Sequence, residues 1–160
     1  MTTQLDELAE RIEDLDRLTD ERAIVDALYR FGAGQDQGDS DLFLSAFADD
    51  ARLDFTQPAA LFDSDVPPMY GRAAIAGIME ALAPLRMTHT VTNPRVRIRG
   101  DEADLTALVE AQHVAHDRRY LLLKNTYSAR LVRRPAMWLI ADLVIRNVWW
   151  DGDPSVLFPR

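Results

Sequence analysis

The feature that most constrains this 160-residue chain is a change of period near residue 85. Before it, apolar residues recur every three or four positions, as on a helix face. After it, residues 87–99, 103–116, 119–134 and 137–150 read as four long strands rich in Val, Leu, Ile and Thr. Only "GDEA", "HDRR" and "RRPA" separate them, breaks short and polar enough for antiparallel hairpins. Helices first and a strand meander second make an α+β domain, with helices on one face of an antiparallel sheet. Such a sheet must curl for a cavity to form beside the helices.

The helical half divides by its punctuation. Leu5, Leu8, Ile12, Leu15 and Leu18 place an amphipathic N-terminal helix within residues 1–20. A second helix is expected to start at a Thr19 or Asp20 cap, carry Ile24, Ala27, Leu28 and Phe31 inward, and stop at Gly38. Gly32 and Gly34 interrupt it at a cost of roughly 1 kcal/mol each against Ala. Close packing, a nearby ligand or chance would each account for them. "SDLFLSAF" reads as a short third helix, "ARLDF" as a strand, and "RAAIAGIMEALA" as a helix closed by Pro84. Residues 56–70, with three prolines, form a loop long enough to cover a cavity mouth. In "MTHTVTNPRVRIRG", His89 and Val91 share one strand parity and Val96 and Ile98 the other, so a bulge is expected at Asn93-Pro94.

Composition narrows the function classes. With 48% hydrophobic residues the chain reads as a single domain over residues 1–160. A net charge of −8 disfavours nucleic acid and anionic membranes as partners. The charge is uneven: residues 1–50 hold 14 acids against 4 bases, and residues 87–150 hold 10 bases against 6 acids. There is no cysteine, which removes disulfides, thiol nucleophiles and thiolate metal sites. No apolar run has the length of a signal peptide core or a bilayer span, so a cytoplasmic location is expected.

Few residues are left to carry chemistry. Asp36 lies in "GQDQGD" at the end of the second helix, where the helix dipole favours cations over acids. Tyr29 precedes it by seven positions, on nearly the same stripe. His89 opens the first long strand. His113 ends a small apolar face made by Leu105, Ala107, Val109 and Ala111, which is either a pocket wall or packed core. His116, by the "HDRR" turn, is expected to be exposed, and the three histidines match no metal-binding spacing. Trp149 and Trp150 alternate across a strand, one toward the cavity and one toward a neighbour.

Together, "FADDARLDF", "YGRAAIAGIM", "THTVTNPRVRI" and "MWLIADLVIRNVWWDG", behind the helices, resemble the SnoaL-like branch of the nuclear-transport-factor-2-like superfamily over nearly the whole chain. Within it the look is nearest to scytalone dehydratase and lindane dehydrochlorinase. The family keeps an aspartate after its second helix and a His-x-x-x-Asn/Gly pattern at its first long strand; "QDQGD" supplies Asp36, and "HTVTN" supplies His89 and Asn93. His113, in "QHVAHDRRY", falls where the dehydratase keeps a second pocket histidine. The dehydratase's tyrosine before the aspartate is Gln35 here, and its polar strand pair maps near Thr126 and Ser128.

The resemblance implies a cystatin-like, cone-shaped α+β barrel and a cofactor-independent lyase acting on a small, largely apolar cyclic substrate. Asp36, His89 and His113 would be its catalytic residues, and Tyr29, Thr126, Ser128 and Trp149 would line the substrate site. An isomerase or polyketide cyclase using the same base is the nearby alternative. A non-catalytic subunit, like the small subunit of ring-hydroxylating dioxygenases, is the distant one. A homodimer or homotrimer is expected in either case.

Overall fold

The structure is a computed structural model and describes residues 3–135 and 137–158. Its elements run α1 (Gln4–Gln37), α2 (Ser40–Leu44), β1 (Phe47–Asp54), α3 (Thr56–Ala60), β2 (Met69–Tyr70), α4 (Arg72–Leu82), β3 (Arg86–Arg99), β4 (Glu102–Val114), β5 (Tyr120–Arg134) and β6 (Met137–Gly152), then a 3-10 turn at Pro154–Val156.

The helix–strand order and the long meander agree with the sequence reading, and the fold class is the α+β one expected. The sheet order is β2-β1-β6-β5-β4-β3. All neighbours are antiparallel except β1, which joins β6 in parallel and makes the sheet mixed. Register slips fall between Thr92 and Arg95 in β3, between Lys124 and Asn125, and between Arg130 and Leu131 in β5. Each bends the sheet locally, and together they turn it around a cavity. The first is the bulge expected at Asn93-Pro94, with Asn93 at φ 52°.

One expectation fails at the N-terminus. Residues 4–37 form a single helix, not two. Thr19 does not cap: its hydroxyl donates to the Leu15 carbonyl at 2.8 Å, inside the helix. Asp20 is a tether instead. It accepts two 2.7 Å bonds from the Arg133 guanidinium and one from the Trp138 indole at 3.0 Å. Those bonds hold its carboxyl below the usual carboxylate range. The real caps lie further out, a Thr3–Asp6 capping box at one end and Gly38 at φ 68° at the other.

The core lies between the C-terminal half of α1 and the concave sheet face. Ile24, Ala27, Leu28 and Phe31 are buried there with Phe43, Phe47 and Tyr127. The two interior glycines are explained by close approach. A Cβ on Gly34 would sit 2.4–2.6 Å from the Phe43 backbone and side chain, so α2 can cross α1 only over glycine. A Cβ on Gly32 would sit 2.9 Å from the Cβ of His89, so β3 reaches α1 on the same terms.

Candidate functional site

Gly32 and the β3 bulge together bring the end of α1 against His89. Asp36 Oδ1 lies 2.6 Å from His89 Nδ1, and Asp36 Oδ2 accepts the His89 backbone N–H at 2.8 Å. One carboxylate therefore fixes both the ring and the strand that carries it. A carboxylate only accepts, so Nδ1 is the protonated nitrogen and Nε2 is left with its lone pair. The His89 side chain is 4% exposed and Asp36 is 23% exposed, so the pair is shielded without being sealed.

His89 forms part of the wall of a cavity of about 240 Å³. Phe31 and Gln35 of α1, Ala111 and His113 of β4, and Leu123, Asn125 and Tyr127 of β5 complete its inner wall. Residues 56–70, expected to be one loop, instead hold α3 and β2 at their two ends, and Ser64 and Val66 of the coil between them line the cavity with Leu157 and Phe158 after the last strand. Phe62 of that loop stacks on Phe158 at 5.0 Å and meets Trp150 edge-on at 5.1 Å, so loop and C-terminal segment pack as one rim.

His113 stands 6.3 Å from His89 between ring centroids. Its Nδ1–H donates a long 3.4 Å bond to the Leu121 carbonyl, which turns Nε2 into an acceptor. Burial, and then the nearby His89, push its pKa down to about 4. It is neutral at pH 7, so it can accept from a substrate hydroxyl but is not a cationic acid. Tyr127 is buried, and that burial pushes its hydroxyl well above the usual phenol range, so it stays protonated and can only donate or accept a neutral bond.

Asn125 supplies the sharpest polar feature. Its Oδ1 accepts from the Asn147 amide at 2.9 Å, which fixes the orientation of the side chain. Its Nδ2 is buried and, among the described residues, has no hydrogen-bond partner. A buried donor without an acceptor costs roughly 1–3 kcal/mol. Its residue lines the cavity, and an oxygen on a bound molecule would remove that cost.

The remaining expected residues are placed elsewhere. Tyr29 is 49% exposed and lies in a surface groove with Pro94 and Val96. It stands about 200° around α1 from Phe31, which takes it off the cavity. Thr126 and Ser128 have the parity opposite to Asn125 and Tyr127, so they lie on the outer sheet face. Trp149 and Trp150 are both largely exposed and neither lines the cavity. An irregular pairing, Lys124 with Trp149 but Asn125 with Asn147, shifts the strand parity on which their placement depended. His116 is exposed, as expected. Among the described residues no three His, Asp or Glu side chains gather as metal ligands, and no helix is long and apolar enough to cross a membrane.

Asn125 and Tyr127 were missed by the sequence reading. Their signal was present: Leu121, Leu123, Ala129 and Leu131 share their parity, and an asparagine alone on an apolar strand face marks a site.

The chain is similar to known proteins along most of its length. It is 29% identical over 148 residues to terrestric acid biosynthesis cluster protein E of Penicillium crustosum, covering 87% of this chain and 90% of that protein. A solved structure from Novosphingobium aromaticivorans, provisionally described as a scytalone dehydratase, superposes with a TM-score of 0.75 at 17% identity, over 86% of this chain and 89% of that one. The hexachlorocyclohexane dehydrochlorinase LinA-type3 of Novosphingobium barchaimii superposes with a TM-score of 0.73 at 20% identity, over 89% and 95%. At those identities the likeness is one of fold. The SnoaL-like domain model matches residues 16–144, and the chain belongs to that family.

Proposed function

We propose that this SnoaL-like protein is a cofactor-independent lyase of the dehydratase kind. Its substrate is a small, largely apolar cyclic molecule with a carbonyl and a β leaving group. The observation that carries the reading is the 2.6 Å Asp36–His89 bond at the wall of an apolar cavity.

The chemistry follows from the atoms. His89 Nε2 takes the proton from the carbon next to the carbonyl. Asp36 steadies the imidazolium that results. The electron pair moves toward the carbonyl oxygen, where the Asn125 amide or the Tyr127 hydroxyl donates a hydrogen bond to the developing charge. As the pair returns, the bond from the β carbon to its oxygen breaks. The imidazolium returns its proton to the departing hydroxyl, and water and a new C=C bond are formed. General-base help of this kind is worth roughly 10²–10⁴-fold. His113, neutral and accepting, would orient a hydroxyl of the substrate.

Size and polarity support the substrate class. Engineered apolar cavities of roughly 150 Å³ take benzene, so this one has room for one or two rings. The walls offer no fixed counter-charge for an ionic substrate apart from the dyad itself, and burying an unpaired ion is costly. Two of the structural relatives are named for eliminations, and the Penicillium relative for a biosynthesis cluster. The same base without a leaving group would isomerise or cyclise. A packed interior would have favoured an assembly subunit; an open, aromatic-rimmed cavity favours catalysis.

The test is turnover of a panel of cyclic β-hydroxy ketones, without added cofactor, by the native protein and by His89→Gln. Elimination by the native protein, with the variant folded and inactive, supports the reading. Binding without turnover in both would make the protein a carrier.

A further inference from the structure

The amide of Asn125 is set from the neighbouring strand. Strand β6 carries one extra residue here: Asn147 pairs with Asn125 and Trp149 with Lys124, so Val148 bulges out of the ladder. The irregularity gathers three acceptors around one amide. Asn147 Nδ2 donates to the Lys124 carbonyl at 3.3 Å, to Asn125 Oδ1 at 2.9 Å and to the Trp149 carbonyl at 3.0 Å. On its other side β6 has lost its strand neighbour, because β1 ends at Asp54, opposite Val144. The Gln57 side chain of α3 takes that place, and its Oε1 accepts the Asn147 backbone N–H at 2.7 Å.

The direction of each bond follows from what can donate. A backbone carbonyl only accepts, so the atom of Asn147 that meets Lys124 and Trp149 is the nitrogen. A flipped Asn147 would set its oxygen against two carbonyl oxygens. With the nitrogen there, Asn125 must turn its oxygen to Asn147; a flipped Asn125 would face N–H against N–H. What remains of Asn125 is Nδ2, buried and without a partner among the described residues, on a residue of the cavity wall. Asn147 does not line the cavity itself.

We propose that Asn147 is a positioning residue that gives this wall of the cavity its polarity. Two main-chain carbonyls orient Asn147, Asn147 orients Asn125, and Asn125 is left able only to donate. The site therefore selects ligands with an acceptor oxygen at the β5 wall over ligands of the same shape without one. Nδ2 is already out of water, so a bond to such an oxygen displaces no existing bond of the donor. Without Asn147 the amide would turn over, because the terminal torsion of an untethered asparagine is broad and roughly two-fold. The inference rests on the lyase reading only in naming that oxygen as the substrate carbonyl.

The test is binding of 1-indanone, a two-ring ketone with no leaving group, against indane, the same rings without the oxygen, by NMR shift titration. Asn147→Ala should weaken 1-indanone about 10-fold, the effect of one hydrogen bond, and leave indane unchanged. Asn125→Ala should do the same. The double variant should bind 1-indanone no more weakly than Asn125→Ala alone, because the two residues act through one bond. Asn147→Ser, with one hydroxyl hydrogen in place of two amide hydrogens, should show the same selective loss and replaces the alanine variant if that does not fold. Equal losses for both ligands would make Asn147 merely structural and overturn the proposal. So would an unchanged affinity for 1-indanone, or a native protein that binds neither. Neither probe can undergo elimination. A selective loss together with no turnover of the hydroxy ketones would remove the lyase reading and leave this one standing.

Discussion

Asp36 grips His89 at two points, the ring Nδ1 at 2.6 Å and the backbone N–H at 2.8 Å. A carboxylate from the last turn of a helix thereby sets both the tautomer of a base and the position of the strand that bears it. Removing Asp36 should free the ring and loosen the strand together.

Asp36→Ala is expected to lower kcat by about 10²–10⁴-fold, with KM changed far less, because the carboxylate contacts the base and not the substrate. Asp36→Ala combined with His89→Gln should be no slower than His89→Gln alone. Two groups acting as one unit give non-additive losses, and steady-state kinetics on the four proteins would show it.

Gly32→Ala offers an inverse signature. In an open helix this change should stabilise by up to about 1 kcal/mol. Here the new Cβ would lie 2.9 Å from the His89 Cβ, so α1 and β3 must part. The expected result is a lower melting temperature and a kcat reduced by about 10²-fold, the cost of displacing a base by roughly an ångström. Melting curves and kinetics on the same preparation check both.

Asn125→Ala removes a buried amide nitrogen that has no partner among the described residues and whose residue lines the cavity. Losing a hydrogen bond to a substrate oxygen is worth roughly 1–3 kcal/mol, so kcat/KM should fall about 10- to 100-fold. Stability should fall as well, because the variant also loses the 2.9 Å bond that the buried Oδ1 accepts from the Asn147 amide. The kcat/KM values and denaturant midpoints of the two proteins separate these effects.

His113 makes stability depend on pH. Its pKa of about 4 in the fold lies below the 6.5 of the unfolded chain. Between those values the unfolded chain binds a proton that the native protein refuses. The stabilisation is therefore complete above pH 6.5 and is lost as pH falls toward 4. The loss is at most about 3 kcal/mol. Urea midpoints of the native protein should fall across this window, and His113→Gln should show a flatter profile.

The strand meander and the bulge were legible because each has a local signature, a period of two and an Asn-Pro at a parity switch; Asp36 and His89 stood out by residue type but were paired only by the resemblance of "QDQGD" and "HTVTN" to the family pattern. The α1 boundary was not legible. Thr19 and Asp20 are good caps in isolation, and only Arg133 and Trp138, more than a hundred positions away, convert Asp20 into a tether. The substrate face of β5 was read on the wrong parity, at Thr126 and Ser128, because it was placed by likeness and not by the alternation of Leu121, Leu123, Ala129 and Leu131. The role of Gly32 needed the third dimension: the cost of a helical glycine is local, but its reason is His89, on a strand far along the chain.

The central claim is that His89 presents a bare Nε2 to the cavity, and nitrogen-15 NMR of the three histidines tests it without a substrate. The account predicts that neutral His89 carries its proton on Nδ1, with Nε2 at the shift of an unprotonated nitrogen, and that Asp36→Ala loses this preference. A His89 protonated on Nε2 in the native protein would contradict it.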